Sequence, residues 1–151
     1  MSRFSHLALA AVFACAFGAS TVSITASAAE AHRVAIHVDE NDAARMNMAL
    51  NNAQNIDSYY KAKGEPVQIE IVTYGPGLHM LLADSSPVKA RVEQMSLALD
   101  NLSFAACGNT HRKMSEKKGK DLALMPEATK VPSGVVRLME LQEQGWSYVR
   151  P

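Results

Sequence analysis

Two cysteines in 151 residues are too few for a disulfide scaffold or a four-thiolate zinc site. No excess of charge of either sign exists. Fifteen basic residues stand against fifteen acidic ones, which argues against a nucleic-acid binder working through a basic surface. The chain has no Walker loop, and Gly75-Pro76-Gly77 lacks the third glycine and the helix register of a dinucleotide fingerprint, so no cofactor is expected. Cys107 and Arg112 are separated by four residues, one short of the cysteine-phosphatase loop. No apolar run reaches the roughly 20 residues of a membrane-spanning helix. Repeats and low-complexity tracts are also missing. What is present, 48% hydrophobic and 20% charged residues, suits one small globular domain.

The first residues stand apart. Arg3 precedes an apolar run from Leu7 to Gly18, and small and polar residues then lead to Ala26-Ser27-Ala28. A basic start, a short apolar core and an A-x-A site describe a secretory signal peptide over residues 1–28. The mature domain, 29–151, would then begin at Ala29 and keep Cys107 as its only thiol, because Cys15 leaves with the leader. In a Gram-negative cell that product is periplasmic, with no membrane attachment once the leader is cleaved. A lone thiol in an oxidising compartment is unusual and is the first sign of chemistry. His32, beside the cleavage site, is expected in a flexible terminus.

Strand and helix signals alternate along the mature chain. Arg33 to Val38 reads as a strand with β-branched Val34, Ile36 and Val38. Asp39, Glu40, Asn41 and Asp42 supply turn and N-cap chemistry. Met46, Ala49, Leu50, Ala53, Ile56 and Tyr60 then recur at helical spacing until Gly64-Glu65-Pro66. Val67 to Tyr74 is the second strand. Leu78 to Leu82 reads as a short helical turn, and Pro87 opens a helix striped by Val88, Val92, Met95 and Leu99. Leu102 to Ala106 is an apolar third strand ending at Cys107-Gly108. Asn109 or Thr110 can cap the basic helix that follows, with Arg112, Lys113, Lys117, Lys118 and Lys120. A short fourth strand is expected at Thr129 to Val131. Ser133 then caps a helix carrying Val136, Met139 and Leu141 that ends at Gly145, and Trp146 to Val149 is the last strand.

This order implies an α/β fold: a flavodoxin-like, doubly wound, mainly parallel five-stranded sheet with helices on both faces. Ligand chemistry in such sheets gathers at strand C-termini. That rule brings His37 and Asp39, Tyr74 to His79, and Cys107 to His111 to one edge.

Cys107 is the strongest candidate because a strand gives way there to a helix N-terminus. Free amides and the positive end of the helix dipole favour a thiolate at such a place. Gly108 leaves room for the backbone to fold around a bound group. His111 is expected to face the sulfur as its catalytic partner, with Arg112 and Lys113 adding positive potential. Gly75, His79, Asn109 and Thr110 complete the expected binding set. The bland alternative is an inert thiol packed as a small hydrophobe. Zinc or copper held by Cys107, His111, His79 and His37 is a further reading, but histidines scattered in this way are more often structural, and no metal is expected. The lysine-rich helix reads first as a solvated face and second as a docking surface for an acidic partner.

Several segments together resemble the DsrE/DsrF-like (YchN-like) family: the opening strand VAIHV, LNNAQNI, IEIVTYGPGL, LSFAACGNT, and the ending VPSGVVRLMELQEQGWSYVRP. The resemblance implies a flavodoxin-like sandwich, in agreement with the element order. It also implies a sulfur carrier whose persulfide would form on Cys107, acting with a thiol-bearing donor or acceptor protein. Assembly into homotrimers or hexamers is implied as well, and the Gly75 to Leu82 connection and the final strand are the apolar candidates for subunit contacts. Export sets this chain apart from the cytoplasmic sulfur-relay members. The contrasting reading is an oligomeric, non-catalytic module that binds a small anion or metal ion at its strand-end cleft.

Overall fold

The computed structural model describes residues 31–151; the expected signal peptide lies outside them. The elements alternate as β1 (His32–Val38), α1 (Ala43–Lys63), β2 (Val67–Thr73), a 3₁₀ segment (Gly75–Leu81), α2 (Lys89–Ala98), β3 (Leu102–Cys107), α3 (Gly108–Lys118), β4 (Ala128–Val131), α4 (Gly134–Glu143) and β5 (Ser147–Val149). All the strand pairings are parallel. The sheet order is β4-β3-β2-β1-β5. The architecture is the doubly wound α/β class expected from the element order.

Strand order decides how the faces are covered. Steps from β1 through β4 all run in one direction, so right-handed crossovers put α1, α2 and α3 on one face. The return from β4 to β5 runs the other way and puts α4 on the opposite face. The packing follows this division. Val34, Ile36, Ile69, Ile71 and Phe104 bury against Met46, Leu50 and Ala53 of α1, Val92 of α2, and Leu78, Met80 and Leu81 of the 3₁₀ segment. On the other face small or branched Ala35, Val72 and Ala105 let α4 approach with Leu138 and Leu141. Residues alternate between these faces along each strand.

Local chemistry sets the boundaries. Asp42 caps α1, its carboxylate accepting from Arg45 N–H at 2.9 Å. The 3₁₀ segment has Pro76 in its first turn and carries Gly77 against the Val38 backbone, where a Cβ would clash. Its apolar residues Leu78, Met80 and Leu81, with Leu82 after it, are buried within the core, so these four side chains are not free for a subunit contact. His32 is not loose: it opens β1, stacks on Tyr60 at 4.0 Å and bonds Glu65 at 3.1 Å. Ser133 occupies the N-cap of α4 without a side-chain cap bond. Among the described residues no helix is long and apolar enough to cross a membrane.

Candidate functional site

β3 and β4 are neighbours, yet the chain leaves them toward opposite faces, through α3 and α4. Such a switch point opens a crevice at the strand ends. Cys107 sits there as the last residue of β3 and pairs with Val131 of β4. It is also the N-cap of α3, a position expected for Asn109 or Thr110. The sulfur itself accepts the Thr110 N–H at 3.5 Å.

The second helix reaches the same atom. Gly134 opens α4, and a Cβ on it would come within 3.2 Å of Cys107 Cβ and 2.9 Å of Tyr74 Cβ. Only a residue without a side chain lets the α4 N-terminus come this close. Cys107 is 4% exposed, so the sulfur lies beneath that helix end and not at an open mouth. Burial pushes the thiol up, but the Thr110 hydroxyl and the backbone amides of Gly134, Thr110 and Asn109 outweigh it and hold the pKa below the ordinary thiol value. Two helix N-termini therefore serve one sulfur.

The remaining expected residues divide. Thr110 joins the site: its hydroxyl accepts Gly75 N–H at 3.0 Å, and its own N–H donates to the sulfur. Gly108 packs against β4, since a Cβ there would lie 3.0 Å from Val131 O. Asn109 contributes its N–H, which also donates to Pro132 O at 3.2 Å. His111 does not turn to the sulfur. It is buried, with Nε2 donating to Leu122 O at 2.6 Å and 3.7 Å from Asp121. Helix geometry explains this, because the side chain follows the α3 face that packs on the 120s loop. Arg112 is exposed and paired with Glu116 at 2.9 Å.

Beside Cys107, on the α4 face, lies a second cluster. His37 at the end of β1 is 4% exposed and stacks on Tyr74 with ring centroids 4.6 Å apart. Its Nδ1 bonds Tyr148 Oη at 2.7 Å, while Nε2 lacks a hydrogen-bond partner and lies 3.9 Å from Asp39. Burial lowers the His37 pKa, with Asp39 opposing and Arg150 assisting. Burial likewise raises that of Tyr74, which stays a neutral phenol. Arg150 closes the edge through Asp39 at 3.0 Å and Glu40 at 3.2 Å. The strand-end rule reached His37, Asp39 and Tyr74, but Gly134, Tyr148 and Arg150 were missed. For Gly134 a signal existed in Pro132-Ser133-Gly134, a turn opening a helix.

On the other side of Tyr74 a cavity of about 680 Å³ is lined by Asn41, Tyr74, Gly75, Pro76, His79, Thr110, Met114, Lys113, Lys117 and Lys118. Gly75, His79 and Thr110 thus line the same cavity. Among the described residues no group of three or more His, Cys, Asp or Glu side chains is arranged to hold a metal ion; Cys107, His111, His79 and His37 form no such set.

No protein-family model matches this chain, and no curated protein does. Among solved structures it is similar to MTH1491 of Methanobacterium thermoautotrophicum, a protein of unknown function, with 32% identity over 80% of this chain and 99% of that one and a TM-score of 0.64. The chain belongs to the family of that protein. The shared part takes in nearly the whole of MTH1491, so the likeness extends over the fold and not to an isolated motif.

Proposed function

We propose that Cys107 carries sulfane sulfur as a persulfide, in the manner of DsrE/DsrF-like sulfur-relay proteins. The observation behind this reading is the convergence of the α3 and α4 N-termini on one sulfur, which favours the thiolate. The same amides would stabilise an ionised persulfide, because charge-assisted hydrogen bonds to an anion are the stronger kind. In loading, the Cys107 thiolate attacks the outer sulfur of a donor persulfide. The donor S–S bond breaks, the donor departs as a thiolate, and the new S–S bond leaves the transferred sulfur, with its proton, on Cys107. The sulfane sulfur keeps its oxidation level, so no separate oxidant is required. Delivery to an acceptor thiolate repeats the same exchange. The partners are thiol-bearing proteins.

The reading includes export, with residues 1–28 as leader and a periplasmic mature chain, and self-assembly as a homotrimer or hexamer. Exposed Val135, Val136 and Met139 on α4, with Tyr148 on β5, support an apolar contact between copies.

Mass spectrometry of protein recovered from its native compartment tests the whole reading. The expected intact mass is that of a chain starting at Ala29 plus one sulfur atom, which reductant removes and Cys107→Ser never acquires. Native spectra should show three or six chains. A Met1 start would end the export claim, and monomer alone would end the assembly claim. The carrier role fails if incubation with polysulfide adds no sulfur and the pH dependence of alkylation puts the thiol pKa at or above that of free cysteine.

A further inference from the structure

The cavity beside Tyr74 has a one-sided electrostatic wall. Lys113, Lys117 and Lys118 of α3 line it, and neither an aspartate nor a glutamate does. Six basic groups elsewhere face a carboxylate: Arg45 with Glu40, Lys63 with Glu65, Lys89 with Glu93, Arg112 with Glu116, Arg137 with Glu70, and Arg150 with Asp39. The three cavity lysines have no carboxylate within ion-pair distance among the described residues. Lys113 and Lys117 also stand four residues apart on one helix, a like-charge spacing that disfavours the helix unless an anion intervenes.

The rest of the lining narrows the ligand. Tyr74, Pro76 and Met114 present carbon surface, while Asn41 and His79 offer hydrogen bonds. A volume of about 680 Å³ lies within the range of organic-ligand sites and is far larger than a lone inorganic oxyanion needs. Two lining residues also belong to the sulfur's surroundings. Thr110 donates its N–H to Cys107 and accepts from Gly75 through its hydroxyl, and Tyr74 flanks Gly134 together with Cys107.

We infer that this cavity binds a low-molecular-weight organic thiol carrying two or more carboxylates, and holds it one side chain away from Cys107. The lysines take the carboxylates, Tyr74 and Met114 take the carbon skeleton, and the thiol end faces Thr110. The choice of a thiol rests on the carrier reading of Cys107; the selection of a compact polyanion by the lysine wall does not.

The probe is glutathione, a tripeptide thiol with two carboxylates, titrated calorimetrically into the full protein and into Cys107→Ser. Both should bind it at neutral pH, with affinity falling as salt is added. Lys113→Gln combined with Lys117→Gln should weaken binding about tenfold, while Lys120→Gln, outside the cavity, should leave it unchanged. S-methylglutathione, which keeps the carboxylates, should bind less tightly than glutathione itself. Absence of binding at millimolar probe overturns the inference, as does an equal loss in Lys120→Gln. Equal affinity for the methylated probe overturns the thiol assignment. Because Cys107→Ser is used for binding, failure of sulfur loading on Cys107 is read separately.

Discussion

The two faces of the sheet differ in thickness and in content. One packs twenty buried apolar residues, shared among its strands, α1, the 3₁₀ segment, α2 and the connections beside them. The other has five, shared between the strands and α4. Yet the titratable groups that matter stand on the thin face: His37, Tyr74, Cys107 and Tyr148 at the strand ends, and Glu70 bound in a fork by Arg137 at 2.7 Å. A single helix leaves the flanks of its face uncovered by apolar packing, and polar side chains fill them. Apolar packing is concentrated on one side of this sheet, and the groups around Cys107 stand on the other.

Matched truncations sharpen that contrast most. Leu50→Ala on the thick face should cost about 4 kcal/mol, since a fully enclosed site cannot collapse around the cavity, whereas Leu138→Ala beneath α4 should cost about 2 kcal/mol. Urea unfolding measures both, and equal losses would break the comparison. Next in size is Arg137→Met. It strands Glu70, which is 6% exposed, and because Arg137 itself is partly solvated the loss should be about 2 kcal/mol. Adding Glu70→Gln should recover part of it; no recovery would mean that Arg137 acts through packing.

The smallest effect is electrostatic. Burial holds the folded-state pKa of His37 below its ordinary value, so the unfolded chain takes up a proton first as pH falls. The stability contribution is complete above the unfolded value of about 6.5 and is lost as pH drops through the folded one. His37→Phe should flatten the denaturation midpoint across that window, and an unchanged slope would remove His37 as its source.

Much of this was legible beforehand for physical reasons that can be named. The Asp39-to-Asp42 cap run, the Met46-to-Tyr60 stripe and the apolar third strand are local signals, and each element formed where they pointed. Cys107 stood out because a strand-to-helix junction is itself local. His111 was misjudged because helical spacing alone does not say which face of α3 meets another segment; that face was claimed by the Leu122 carbonyl. The Gly75 to Leu82 connection was taken for surface because a loop's apolar residues can pack inward or outward, and here Leu78, Met80 and Leu81 close the core.

The sequence by itself determined the order and type of the elements, through caps, periodicity and turn residues acting within a few positions of one another. Only the tertiary structure decided what surrounds the sulfur. The pairing of β3 with β4, and the departure of their chains to opposite faces, brings Gly134 and the N-terminus of α4 onto Cys107 across a gap of 27 residues in sequence. Such proximity follows from strand order, which long-range pairing and crossover handedness set together.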